Sequence, residues 1–84
     1  MNKTNINKKN DRFDPKTLKP FDKVLVSDDG VNWMCDIYSH KVKDTNSYMC
    51  ISNEYYCCIP YNDETKHLVG TKDKAPKYYR YWED

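Results

Sequence analysis

The chain has 84 residues, a formal net charge of +1, and hydrophobic residues at 38% of its positions. This length predicts one domain with a thin stability margin, because a chain this small buries only roughly 60% of its unfolded surface. Two glycines are too few for a glycine-rich phosphate loop, and neither a membrane-spanning run nor a signal peptide is recognisable. We therefore expect a cytoplasmic protein, with no membrane association, whose four cysteines stay reduced.

The near-neutral charge hides an uneven distribution along the chain. Residues 1–19 carry six basic and two acidic residues (+4), residues 20–71 carry four and eight (−4), and residues 72–84 carry four and three (+1). We predict a basic, largely disordered segment over residues 1–18 and a folded domain over 19–71. Residues 72–84 form an aromatic, basic tail that either docks over an open edge or adds a strand.

The first hairpin is the clearest structural signal in the sequence. Period-two alternation predicts strands at residues 21–27 and 32–40, and the intervening Asp28-Asp29-Gly30 tolerates the positive φ of a tight turn. Tyr38 falls on the face expected to be wet. The opposite face is predicted to form a core together with part of the fourth strand, and its members are Val24, Val26, Trp33, Cys35, Ile37, Cys57 and Ile59.

The second half of the sequence predicts shorter elements. After a polar loop, strands are expected at residues 48–52 and 55–59, with Tyr55 facing inward and Tyr56 outward. Residues 61–66 can form one 3₁₀ turn, and residues 68–70 offer a short closing strand.

Five short strands with tight turns predict a mainly β fold, a small SH3-like barrel with at most one 3₁₀ or short helical turn. An OB-like barrel would normally need more residues and a helix. The letters DKVLV, a turn and then WxxDIY resemble the opening hairpin of KOW, Tudor and other SH3-like barrels. This resemblance covers about twenty residues and implies a fold, with no function attached.

A second resemblance covers residues 19–71. The strings KPFDKVLVSDDGVNWMCDIYSH and CIPYNDETKHLVGT are similar to short proteins, without assigned activity, of Bacteroides-group bacteria and their phages. The resemblance implies a stand-alone domain encoded by a phage or mobile element and acting in a bacterial host cell. A counter-defence role, in which the protein blocks a host component, follows by analogy.

The four cysteines do not show the spacing of a metal site. Between Cys35, Cys50, Cys57 and Cys58 the gaps are 14, 6 and 0 residues, whereas zinc knuckles space two cysteines by two to four. Free cysteines are usually buried, so we predict core residues rather than a zinc site or a cysteine nucleophile paired with His40 or His67. We expect no enzyme activity, no metal and no cofactor.

Aromatic residues are the strongest functional signal, because they exceed what one small core can bury. Tyrosine offers a large contact area and a hydroxyl, which suits interfaces. We predict a non-catalytic binding protein whose aromatic barrel face contacts a protein partner or a second copy of the chain. The predicted binding residues are Tyr38, Tyr56, Tyr61, Tyr79, Arg80 and Trp82.

Two alternative ligands stay open. One is a small nucleotide-type ligand sequestered between the subunits of a homo-oligomer, since a chain this small is not expected to enclose a pocket of ~300 Å³ or more. The other is single-stranded nucleic acid, bound by stacked aromatics and the basic tails. The acidic middle of the chain argues against nucleic acid.

Overall fold

A computed structural model describes residues 12–83, so residues 1–11 of the segment predicted to be largely disordered (1–18) lie outside it. The mainly β fold is confirmed, with all five strands antiparallel in one sheet. Within residues 12–83 no helix is long and apolar enough to span a membrane. The strands are β1 (Lys23–Ser27), β2 (Met34–Lys41), β3 (Tyr48–Cys50), β4 (Glu54–Tyr55) and β5 (Cys57–Pro60). Where the sequence predicted at most one 3₁₀ turn, there are three, at Pro15–Thr17, Lys66–Leu68 and Lys77–Tyr79.

The sheet is strongly bent, yet it does not close into the expected barrel. Its order is β4-β3-β2-β1-β5, so the two edge strands are neighbours in the chain, separated by Tyr56 alone. The curl brings these edges together at one point. β4 pairs with β3 and β5 pairs with β1, and a two-residue β4 leaves no length for a ladder between the edges.

The first hairpin forms as predicted, and its turn is fixed by one carboxylate. Gly30 has a φ of +80°, which glycine adopts at little cost. The Asp29 carboxylate accepts hydrogen bonds from the backbone N–H groups of Val31 and Asn32 and from the Ser27 hydroxyl. These bonds, led by the one from Val31, hold the pKa of Asp29 well below its usual range.

The fifth strand arises in a different place from the one predicted. The run at residues 55–59 splits at Tyr56 into β4 and β5, whereas residues 68–70 form no strand. Leu68 ends a 3₁₀ turn and is completely buried, and Gly70 has a φ of +84°. The 3₁₀ turn that ends at Leu68 and the left-handed backbone at Gly70 are incompatible with a regular edge strand.

Both faces of β1 are buried, so the protein has two small cores rather than one. Val24 and Val26 point into one of them and Leu25 into the other, as alternation along a strand requires. The first core contains Phe13, Leu25, Trp33, Cys57, Ile59, Leu68, Ala75 and Tyr79. The second core contains Val24, Val26, Tyr38, Tyr48, Cys50, Tyr55 and Cys58.

The alternating burial predicted for β2 is not observed, because Tyr38 is its single buried residue and lies on the face predicted to be wet. Tyr38 is buried, with its ring centroid 6.5 Å from that of Tyr48. Cys35 is exposed and Ile37 is half-buried, so the core positions predicted for them are wrong. Tyr38 is buried in preference to Cys35 because burying a tyrosine ring removes far more apolar surface from water than burying a cysteine side chain does.

Candidate functional site

The C-terminal segment folds back over the open seam of the sheet. The 3₁₀ turn Lys77–Tyr79 places Tyr79 in the first core, and Tyr81 then reaches the point where β4 meets β5. The Tyr81 hydroxyl accepts a hydrogen bond from the backbone N–H of Cys58 (2.9 Å) and donates one to the carbonyl of Tyr56 (3.3 Å). A tyrosine side chain thus binds backbone groups of the short stretch through which the chain passes from β4 into β5.

Two clefts lined by aromatic side chains lie beside Tyr81. The larger has a volume of about 620 Å³, and the smaller has a volume of about 240 Å³. The two clefts share Tyr48 and Tyr81 as lining residues. We call both together the tyrosine groove, and it is lined by Asp14, Pro15, Lys16, Tyr38, Lys41, Asn46, Tyr48, Tyr56, Tyr81 and Trp82.

One wall of the groove is the first 3₁₀ turn, which a short sequence signal fixes. The Asp14 carboxylate caps it by accepting a hydrogen bond from the backbone N–H of Lys16 at 2.9 Å. Pro15 occupies the first position of the turn, where a missing N–H costs nothing. The turn therefore presents an apolar ring and a charged pair, Asp14 and Lys16, at the edge of the larger cleft.

The opposite wall carries a positioned cation. The Lys41 ammonium donates hydrogen bonds to the carbonyls of Val42 and Thr45, and it lies 5.8 Å from the ring centroid of Tyr48. This distance is within the range of a cation–π contact. The positive charge therefore has a defined place at the mouth of the groove.

The groove tyrosines keep their hydroxyl protons at neutral pH. Burial raises the pKa of Tyr38, Tyr48 and Tyr81 above the ordinary value for a phenol. Tyr38 and Tyr48 therefore present neutral hydroxyls, able to donate and to accept, on an otherwise apolar wall, whereas the Tyr81 hydroxyl is already bonded to Cys58 and Tyr56.

Three of the six predicted binding residues line the tyrosine groove. Tyr38 lines the larger cleft, while Tyr56 and Trp82 line the smaller one. The sequence prediction missed Tyr48, Tyr81 and Lys41. Tyr48 belongs to a three-residue strand, and Tyr81 lies in the tail, whose path over the sheet the sequence does not predict. No local pattern could therefore place their rings beside Tyr38.

The other three predicted residues lie elsewhere. Tyr79 is buried in the first core, where its hydroxyl donates to the Glu64 carboxylate at 2.6 Å. Arg80 is half-buried and pairs with Glu83 at 3.2 Å. Tyr61 packs against the first core and carries the Lys23 ammonium 4.1 Å above its ring.

The three cysteines of the cores have the character of buried thiols. Cys50, Cys57 and Cys58 are all buried. Burial raises the pKa of Cys57 to about 12. The hydrogen bond between Cys50 and Cys58, together with burial, raises the pKa of Cys58. The same hydrogen bond lowers the pKa of Cys50, against the effect of burial. Among residues 12–83 no group of three or more His, Cys, Asp or Glu side chains is arranged to hold a metal ion.

The comparisons with known proteins give no match, so a functional assignment has to rest on the groove. The chain matches no protein-family model, no curated protein and no solved structure.

Proposed function

We propose that the protein is a non-catalytic binding protein that takes an extended segment of a partner protein into the tyrosine groove. The observation that carries this proposal is the groove itself, with a main cleft of about 620 Å³ bordered by three tyrosine rings. Cavities of this size and apolar character are typical of binding sites.

The spacing of the rings suits an extended chain. Successive ring centroids are 6.5 Å apart from Tyr38 to Tyr48, 5.8 Å from Tyr48 to Tyr81, and 4.9 Å from Tyr81 to Trp82. In an extended peptide, side chains on one face recur at roughly 6–7 Å. The Tyr38–Tyr48 spacing matches this repeat and the Tyr48–Tyr81 spacing is close to it, whereas Trp82 lies nearer to Tyr81. Alternate side chains of a bound segment can therefore meet the three tyrosine rings, as in other aromatic-lined grooves that bind extended peptides.

The polar groups of the groove add orientation to this apolar contact. Neutral tyrosine hydroxyls can pair with the backbone amides and carbonyls of an extended segment, which has no internal hydrogen bonds of its own. Lys41 and Lys16 stand at the mouth of the larger cleft. We therefore expect the preferred segment to carry an acidic residue next to its apolar anchors.

The state of the two cysteines of β5, Cys57 and Cys58, supports a binding role over catalysis. The nucleophilic form of cysteine is the thiolate, and a pKa of about 12 keeps Cys57 protonated at neutral pH. Cys58 has its pKa raised as well, and both side chains are almost completely shielded from solvent. A nucleophile needs the opposite environment.

The identity of the partner rests on the resemblance over residues 19–71. Under this proposal the partner is a component of a bacterial host cell, and the protein blocks it in a counter-defence role. The SH3-like resemblance of the first hairpin is in keeping with a peptide-binding groove, although it names no ligand.

A small nucleotide-type ligand is the second candidate, and the groove favours it in one respect. A cleft of about 620 Å³ lies within a single chain, so the volume argument for a site between subunits no longer applies. A base can stack on a tyrosine while Lys41 and Lys16 meet phosphate oxygens.

The two candidates are separated by titrating isotope-labelled protein with defined probes and following its amide resonances. The probes are a proline-rich decapeptide with and without an acidic residue, a basic decapeptide, AMP and GMP. We expect the acidic proline-rich peptide to shift the resonances of Tyr38, Lys41 and Tyr48. Binding of the nucleotides in its place would establish the second candidate and overturn the peptide proposal.

A matched pair of variants locates the effect. Tyr56 and Tyr78 have similar exposed fractions, 42% and 46%, but only Tyr56 is among the groove-lining residues. Tyr56→Ala should weaken peptide binding by about tenfold, the cost of an ordinary interface tyrosine, and Tyr78→Ala should leave it unchanged. Equal losses in both variants would contradict a site in the groove.

A further inference from the structure

Two of the four cysteines form a pair inside the second core. Cys50 lies on β3 and Cys58 on β5, and both side chains belong to that core. Their exposed fractions are 3% and 0%. A hydrogen bond joins the two thiols, so the sulfur atoms are in contact across the inner face of the bent sheet.

The other two cysteines point away from this pair. Cys57 is the neighbour of Cys58 in β5, but its side chain belongs to the first core, on the opposite face of the strand. Cys35 lies on β2 and is exposed. Cys57 and Cys35 therefore serve as internal controls for any reaction of the pair.

The sheet allows the two strands of the pair to approach each other. Among residues 12–83, β3 pairs with β2 and β4, and β5 pairs with β1, so no strand ladder fixes the distance between β3 and β5. A disulfide has a sulfur–sulfur distance of about 2.0 Å, which requires a short movement from hydrogen-bond contact. That movement breaks no backbone hydrogen bond between the two strands.

Small oxidants can reach Cys50 through the shortest part of the sheet. β3 has three residues and its outer neighbour β4 has two, so few ladder hydrogen bonds hold this hairpin. Short edge elements open locally at a lower free energy than the strands of a core do. Cys50 is also the last residue of β3, next to the exposed Ile51. We therefore expect access to Cys50 during local opening of the hairpin.

We propose that Cys50 and Cys58 are a redox-active pair, which hydrogen peroxide converts into an intramolecular disulfide between β3 and β5. The Cys50 thiolate attacks one peroxide oxygen and breaks the O–O bond, which leaves a sulfenic acid on Cys50. The other oxygen takes up the thiol proton and leaves as water. The Cys58 thiolate then attacks the Cys50 sulfur, the S–O bond breaks, and a second water leaves. In total the two thiols lose two electrons and two protons, and the peroxide is reduced to two waters.

The hydrogen bond between the thiols assigns these two roles. It lowers the pKa of Cys50, against the effect of burial, and so favours the thiolate that attacks first. The same bond is the largest cause of the raised pKa of Cys58. Oxidation of Cys50 removes the thiolate that accepts this bond. This cause then no longer holds the proton on Cys58 when the second attack is required.

The redox-active pair goes beyond the proposed groove function and does not depend on it. In a reducing compartment, disulfides are usually transient and redox-sensing, which suits a pair that stays reduced until an oxidant is present. The bond would also link two parts of the groove. Tyr48 lies two residues before Cys50 on β3, and the N–H of Cys58 donates to the Tyr81 hydroxyl.

Peptide mapping of the folded full chain, before and after treatment with hydrogen peroxide, tests the pair. Cleavage after Glu54 separates Cys50 from the cysteines of β5, so a disulfide that joins the two peptides identifies the bond. The joined pair should be lighter by two hydrogen atoms than the two free peptides together. Dithiothreitol should separate the peptides again, whereas oxidation to a sulfinic acid would be irreversible.

Matched variants at adjacent positions locate the reaction. Cys57→Ala and Cys58→Ala remove neighbouring buried thiols, but only Cys58→Ala should abolish the disulfide, as should Cys50→Ala. Cys57→Ala should form it at the wild-type rate. Cys35→Ala should do the same, and because it lacks the exposed thiol it excludes disulfides between two chains through that residue.

A repeat in denaturing urea separates the folded geometry from closeness in sequence. The unfolded Cys35→Ala chain should join Cys50 to Cys57 and to Cys58 alike, whereas the folded chain should join Cys50 to Cys58 alone. The same mixture of products under both conditions would overturn the proposal. A folded chain that keeps Cys50 and Cys58 as free thiols under peroxide, or that joins Cys50 to Cys57, would overturn it as well.

Discussion

At the scale of single residues, the two glycines show what local geometry requires. Gly30 and Gly70 have nearly the same left-handed φ, +80° and +84°, but their surroundings differ. A methyl group on Gly30 would meet the Trp82 ring at 3.7 Å, an ordinary contact distance, whereas one on Gly70 would have no neighbour within 4 Å. Backbone conformation, rather than crowding, is therefore the reason for glycine at both positions.

We expect Gly30→Ala and Gly70→Ala to lower the free energy of unfolding by similar amounts, about 1 kcal/mol each, because both force alanine into the left-handed region. Urea denaturation followed by tryptophan fluorescence measures both. Each variant is the control for the other. A clearly larger loss in Gly30→Ala would mean that contact with Trp82 matters and that the backbone argument is incomplete.

The period-two pattern of the sequence shows which features of the sheet could be predicted and which could not. Period-two alternation correctly located β1 and β2, because the period is a local property of an extended chain. It could not decide which face of β2 would be buried, since Ile37 and Tyr38 are both apolar enough for a core. That choice depends on Tyr48, which the chain brings beside Tyr38 only after the loop between β2 and β3.

At the scale of elements, the passage of the chain from β4 into β5 is held by a side chain rather than by a strand ladder. The Cys58 N–H finds its partner in the Tyr81 hydroxyl, and the centroid of the Tyr81 ring lies 5.8 Å from that of Tyr48. The sequence left open whether the tail adds a strand or covers an edge. The hydrogen bond that fixes Tyr81 beside β5 joins residues 23 positions apart. A local sequence pattern cannot predict such a contact.

Tyr81→Phe should lower the free energy of unfolding by about 1–3 kcal/mol, since it leaves the shielded N–H of Cys58 without an acceptor. Hydrogen exchange of the Cys58 amide should accelerate more than that of amides in the β1–β2 ladder. Tyr78→Phe removes a hydroxyl from a ring that is 46% exposed and should change neither quantity. Unaltered exchange at Cys58 in Tyr81→Phe would show that the seam is held by other contacts.

The groove was predictable only in part for the same reason. Tyr56 and Trp82 could be predicted as binding residues from aromatic excess alone. Their neighbours Tyr48 and Lys41 depend on the bend of the sheet and on the carbonyls of Val42 and Thr45. These residues lie on β2, on β3, between β4 and β5, and in the C-terminal tail. They form one site only because the fold brings these parts of the chain together.

At the scale of the whole molecule, buried acids that must stay protonated limit stability at high pH. Burial raises the pKa of the Cys57 thiol to about 12 from an ordinary value of 9.0, and it also raises the pKa of Tyr38, Tyr48 and Tyr81. Above pH 9 the unfolded chain releases these protons before the folded chain does. Protons are then bound more tightly in the folded state, and rising pH favours unfolding.

We therefore expect the free energy of unfolding to be independent of these groups below pH 9 and to fall as pH rises from 9 towards 12. Each group adds a slope of up to about 1.4 kcal/mol per pH unit. Urea midpoints at a series of pH values measure the fall. Cys57→Ala should make it shallower, whereas Cys35→Ala, which removes an exposed thiol, should keep it. A flat profile up to pH 11 would contradict the burial of these groups.

The adjacent cysteines of β5 have a consequence for how the two cores can be observed. Cys57 faces the first core and Cys58 the second, so a single proteolytic peptide carries one reporter thiol from each side of the sheet. Pulsed alkylation under native conditions would add two labels together if the whole domain opens at once. It would add one label first if one core unfolds locally before the other. The mass of that single peptide would therefore show whether the domain unfolds as one cooperative unit.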